Sequence, residues 1–221
     1  MSLFFNFNNM KQNLLLILFS AFVFVASAQE KPEPPIPFET LFGSKRIVSS
    51  LSVNKSIAGK FRFNNSSSAA AYYDYLKGRT EMVSVNSIIY QFHKNIGISG
   101  GMQYHFAKGF IPNAALHFSY ADPSLLLALT PYYNMMPWSN MEVSAVAEYK
   151  PLLSEKLRLF TRLQGFYGHN FEKKERERGM VYFRLGLTYK KYTAGFGGNI
   201  DYYTPVRDEI QNYGGFVRVN I

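Results

Sequence analysis

The chain has no cysteine, which excludes a disulfide framework, a thiolate nucleophile and any cysteine-ligated metal. It also lacks a long apolar run. The most hydrophobic stretch, 14–25, covers about 12 residues, whereas a membrane-spanning helix needs about 20. Acidic residues are the scarcer charge, 15 Asp and Glu against 24 Lys and Arg, for a net charge of +9. The basic side chains are scattered through the chain and form no continuous stripe, which argues against a nucleic-acid partner. Tryptophan occurs once, but 16 Tyr and 20 Phe make the composition strongly aromatic.

Residues 1–28 read as a secretory signal. Lys11 supplies the positive charge, 14–25 the apolar core, and Ala26-Ser27-Ala28 the small-residue cleavage pattern. The Ser27-Ala28-Gln29-Glu30 junction resembles those of exported Bacteroidota proteins. Residues 29–45 begin with a proline-rich segment unsuited to a helix or a central strand. They read as an extended periplasmic linker.

From residue 83 the chain divides into strands at 83–93, 96–106, 113–120, 124–132, 140–149, 157–169, 180–189, 192–203 and 213–221. Their lengths suit the 9–11 residues or so of a tilted membrane strand. In 180–189, Val181, Phe183, Leu185, Leu187 and Tyr189 oppose Tyr182, Arg184 and Thr188. In the final stretch, Tyr213, Gly215, Val217, Val219 and Ile221 oppose Phe216, Arg218 and Asn220. An apolar face toward lipid and a polar face toward a lumen is the pattern of a membrane barrel, the reverse of a soluble one. The connections alternate between short (94–95, 122–123, 152–156, 190–191) and long (107–112, 133–139, 170–179, 204–212), as periplasmic turns and outer loops do. Tyr104, Tyr120, Tyr132, Trp138, Tyr149, Tyr189, Tyr192 and Tyr203 stand at strand ends, where amphipathic rings suit the headgroup level.

The expected fold is therefore all-β, a transmembrane antiparallel up-and-down barrel over 46–221. Taking 57–63 as the first strand gives ten strands. Twelve is the alternative, with separate strands at 46–53, 57–63 and 69–76. Both counts are even, as in single-chain bacterial barrels.

The residues expected to form a polar network in the lumen are Arg62, Gln103, His117, Glu142, Glu148, Arg162, Arg184, Asp201 and Arg218, with Arg184 facing Asp201. Both signs are present, as a small barrel needs if its interior charges are to pair. Lys173, Lys174, Arg176 and Arg178 sit in a mixed-charge stretch that reads as an outer loop able to meet lipopolysaccharide phosphates or a partner protein. His93, His105, His117 and His169 do not converge in the expected register, so no metal site or cofactor is expected. His105, His169, Glu142 and Asp201 are the residues from which a hydrolase site at the rim would have to be built.

On these features the chain is similar to the small outer-membrane β-barrel proteins of Gram-negative bacteria, over about residues 46–221. The departures are Ile221 where an aromatic usually ends the last strand, and Phe216 on the opposite face. The resemblance implies residence in the outer membrane, insertion by the barrel-assembly machinery, and contact with lipid and lipopolysaccharide. The function expected first is a non-enzymatic structural or accessory subunit among other outer-membrane proteins. A narrow passive pore for small solutes is the alternative, and a surface hydrolase the third reading.

Overall fold

The computed structural model of the protein describes residues 33–74, 80–135, 140–203 and 209–221. The expected signal segment and Trp138 lie outside the described residues. Thirteen strands follow one another: β1 (Pro37–Gly43), β2 (Arg46–Ala58), β3 (Phe61–Tyr72), β4 (Glu81–His93), β5 (Ile96–His105), β6 (Gly109–Ala121), β7 (Leu125–Asn134), β8 (Asn140–Tyr149), β9 (Leu152–Ser154), β10 (Leu157–Asn170), β11 (Glu175–Tyr189), β12 (Tyr192–Tyr203) and β13 (Glu209–Asn220). Strand β9 only folds back on the start of β10. The other twelve close into a ring in which β1 pairs with both β2 and β13, and β10 with both β8 and β11, all antiparallel. Closure gives each of the twelve strands a partner on both sides among the described residues, which is what a sheet immersed in hydrocarbon requires.

The count is thus the twelve of the alternative reading, and its first three strands lie elsewhere than expected. β1 is made from residues assigned above to the linker. β2 runs unbroken through Asn54 and Lys55, and the next turn falls at Gly59 and Lys60. Gly59 adopts φ 54°, a left-handed conformation that glycine takes without steric cost. The expected outer loop 170–179 is also mostly strand, because β11 starts at Glu175.

Following the pairings once around the ring advances the register by about 16 residues, which for twelve strands corresponds to a tilt of about 45° and a backbone radius of about 12 Å. That lies between eight strands, whose side chains just fill the interior, and about sixteen, which enclose an open channel.

The turns at 59–60, 94–95, 122–124 and 190–191 gather at one end. Ile36 and Ile221 exchange backbone hydrogen bonds there (2.9 Å each). Asp122 organises one of these turns by accepting from the Ser124 and Leu125 N–H groups, both at 2.8 Å. These bonds, the one from Ser124 first, lower the Asp122 carboxyl below its ordinary pKa. Their contribution to the turn is complete at neutral pH and fades as acidification protonates the group.

Aromatic side chains mark both rims of the outer surface. Tyr90, Tyr120, Tyr149, Tyr189 and Tyr192 are exposed at the short-turn end, and Tyr73, Phe106, Phe110, Tyr133 and Tyr167 at the other. Tyr132 and Tyr203, expected in these girdles, turn inward instead, paired in register with Ala115 and Arg178.

Candidate functional site: the lumen

The lumen is built from alternate residues of every strand, and its two sides differ in chemistry. Along β1, β8 and β10–β13 it is charged and densely packed. Nearer the long-loop end, Asp201 is fully buried. It takes a charge-assisted bond from Arg46, one from Arg178 at 2.9 Å, and one from the Tyr182 hydroxyl at 3.0 Å. Glu81 joins the cluster at 3.6 Å from Arg46 and 3.7 Å from Arg178, and accepts from the Tyr203 hydroxyl at 2.9 Å. Nearer the short-turn end, Glu39 accepts from Arg184 Nε at 2.7 Å and Arg162 Nη1 at 3.3 Å. Glu148 accepts from Arg218 Nη1 at 3.0 Å and Lys150 Nζ at 2.9 Å. Buried charges persist where each has partners of opposite sign and its remaining lone pairs are used, and both carboxylates meet that condition.

Between the two clusters lies a patch of apolar packing made of Leu41, Val48, Ala70, Phe160 and Phe216. The two rings sit 6.0 Å apart. Arg184 lies 5.7 Å over Phe216, and Arg218 4.9 Å over Phe160. The inward position of Phe216, a departure from the family pattern in the sequence, is therefore filled by a packed lumen core. Cation–π contact adds to its burial.

The facing side, on β2–β5, is uncharged over most of its height. Ser50 pairs with Ser68, Ser52 with Ser66 and Asn64 with Ser87, all pointing inward, and Val83, Val85, Ile89 and Ser99 continue this wall on β4 and β5. Ser52 and Ser66 are paired at mid-strand and exposed. Side chains from the charged wall do not cover them. The cations on this side are Arg46, at the long-loop end in the Asp201 cluster, and Arg62, toward the short-turn end, where Asn54 Oδ1 accepts from its Nε at 2.7 Å.

All nine residues expected in the lumen network face inward, but their connections differ from the expectation. Arg184 bonds Glu39, and Asp201 bonds Arg46 and Arg178. Glu39 escaped the sequence reading because it stands in the segment read as linker, and Arg46 because it opens a strand whose limits were ambiguous. Arg178 was read as an outer-loop cation, yet it points into the lumen. Of the other three, Arg176 lies 5.5 Å over Tyr202, and Lys173 and Lys174 occupy the turn between β10 and β11.

No hydrogen bond among the described residues links any two of His105, His169, Glu142 and Asp201, and His105 Nδ1 accepts from the Ala107 N–H at 3.2 Å. His169 packs among outward rings, 6.4 Å from Tyr167 and 5.4 Å from Phe171, while Asp201 is held between two arginines. The geometry does bring Ser99 Oγ to 2.8 Å from His117 Nε2, a serine–imidazole contact. No carboxylate among the described residues hydrogen-bonds the other ring nitrogen. A triad's base needs that orienting group. The arrangement can hold a polar passage open and bias its charge, and offers no assembled catalytic set among the described residues.

Fold and lumen together define the class: a closed, twelve-stranded antiparallel barrel with an apolar outside and a polar inside. Among solved structures the chain is similar to the NanC porin, at 12% identity and a TM-score of 0.53, over 84% of this chain and 98% of that one. A KdgM porin in complex with disordered oligogalacturonate aligns at 12% identity and a TM-score of 0.48, over 84% and 98%. No family model matches the sequence, and no curated protein matches it. At this identity the likeness is one of fold.

Proposed function

We propose that this protein is a narrow passive pore of the bacterial outer membrane, admitting small hydrophilic solutes with a preference for anions. The observation that carries the reading is the exposed Ser52–Ser66 pair at mid-height in the lumen. A barrel serving only as a scaffold would fill that level with side chains, as β1, β10 and β13 do opposite. The likeness in fold to a porin supports the pore over the accessory subunit expected first. The anion preference rests on charge: Arg46, Arg62, Lys108, Lys150, Arg158, Arg162, Arg178, Arg184 and Arg218 outnumber Glu33, Glu39, Glu81, Glu142, Glu148, Glu177 and Asp201 among the described residues of the inner face and its mouths. Fixed charge at a constriction is how such pores discriminate.

The test is conductance of the purified barrel in planar bilayers. Small ohmic steps are expected, and under a salt gradient the reversal potential should carry the sign of anion flow. Arg62→Glu, which inverts the charge beside the serine wall, should move that potential toward cations. A silent bilayer, or cation preference in the wild type, would overturn the reading.

A further inference from the structure

The lipid-facing surface carries one feature that neither the barrel nor the pore explains. At mid-height on β3 and β4 the outward positions hold Asn65, Ser67, Ser84 and Asn86, in two register pairs, Asn65 with Asn86 and Ser67 with Ser84. They are bonded to one another. Asn65 Nδ2 donates to Asn86 Oδ1 at 2.8 Å and to Ser84 Oγ at 3.2 Å, Ser67 Oγ donates to Asn65 Oδ1 at 3.0 Å, and Asn86 Nδ2 donates to Ser84 Oγ at 3.2 Å. On β6, β7, β10 and β11 the outward positions are instead Leu116, Leu127, Leu129, Leu163, Val181 and Leu185, all exposed.

The depth of the cluster rules out the headgroup layer. Along β3 the exposed rings of Phe61 and Tyr73 mark the two rims. On a strand tilted at about 45°, Asn65 and Ser67 stand roughly 9 and 14 Å above Phe61, in the middle of an apolar band about 25 Å tall. Asn86 is exposed, and its second N–H and a lone pair of its oxygen have no partner among the described residues. In hydrocarbon nothing else can satisfy them, and an amide left so is costly.

We infer that this face of β3 and β4 is a contact within the membrane between two copies of the chain, with the two Asn86 side chains opposed across a two-fold axis. A carboxamide carries both a donor and an acceptor, so two related by a two-fold axis complete each other, and in an isologous contact a residue on the axis stands opposite its own copy. Of the outward positions near the cluster, Ser49, Ala69, Ala71 and Gly100 are short, while Leu51, Val53, Met102 and Tyr104 stand directly beside it in register. Short side chains let two walls approach closely where lipid provides no hydrophobic drive.

The absence of cysteine makes the test direct. Single substitutions Ser84→Cys, Ala69→Cys and Gly100→Cys, with Leu163→Cys and Leu185→Cys on the far wall, would be oxidised in intact outer membranes and read on non-reducing gels. Heat-modifiable mobility would report that each barrel is folded. A disulfide-linked dimer is expected from the β3–β5 positions and none from the far wall. In mild detergent the wild type should run at about twice the monomer mass, and the folded Asn86→Leu barrel as a monomer. A monomeric wild type, equal cross-linking from both walls, a dimer that survives Asn86→Leu, or cross-links to a different protein would each overturn the inference.

Discussion

Replacing Asp201 with alanine is expected to destabilise the folded barrel by about 3–5 kcal/mol, because it strands two arginines that share one buried carboxylate. Arg46 and Asp201 are essentially inaccessible to solvent, at 1% and 0% side-chain exposure. Loss of the carboxylate therefore leaves Arg46 desolvated, with Glu81 at 3.6 Å as its remaining acidic partner. Denaturant unfolding of the refolded protein in lipid or detergent, followed by heat-modifiable mobility, measures the change. Asp201→Asn should fall between wild type and alanine, since its amide oxygen still accepts a hydrogen bond. The paired change Arg46→Met with Asp201→Leu should recover much of the loss, because removing both charges also removes their desolvation cost. A loss below about 1 kcal/mol for Asp201→Ala would mean that water screens the cluster as it does a surface pair.

The second large effect is expected at Gly214, where β13 meets β1. A methyl group there would stand 1.9 Å from the Phe42 carbonyl oxygen and 2.8 Å from the Gly43 Cα. Both are backbone atoms, so β1 itself would have to move. Gly214→Ala is expected to cost about 3 kcal/mol, at the upper end of overpacking effects, and to lower the refolded fraction. Gly165 provides the control: a Cβ there meets nothing within 4 Å, so Gly165→Ala should refold like wild type. Equal refolding of the two variants would show that the β1–β13 junction tolerates separation.

From residue 83 onward the sequence exposed the architecture well, because apolar and polar residues alternate in most strands, the all-apolar 125–129 excepted, and tight turns punctuate them. Before that point the same logic failed for a physical reason. In β3 both faces are polar at mid-strand, Asn64 and Ser66 inward, Asn65 and Ser67 outward, so no apolar stripe phases the strand. β1 was hidden differently. Its 7 residues fall short of the usual membrane strand and follow directly on prolines that favour a linker. Losing β1 also lost Glu39, and with it the true partner of Arg184. The inward-facing polar residues could be named from alternation alone. Their pairings could not, because the contacts cross the barrel between strands far apart in the chain, Arg46 with Asp201 and Glu39 with Arg162.

The brevity of β1 has a bearing on how the molecule comes apart. Past Gly43 the chain leaves the ladder, and the side chain of Asn212 on β13 takes over, accepting from the Lys45 and Arg46 N–H groups at 2.9 and 3.0 Å and donating to the Arg46 carbonyl at 3.0 Å. Above that point one amide side chain stands in for backbone pairing. A cylinder of paired strands is only as durable as its shortest staple, and here that staple is a single strand with few rungs on either side. Disassembly should begin by peeling β1 away, turning the closed wall into an open sheet with β2 and β13 as its two raw edges.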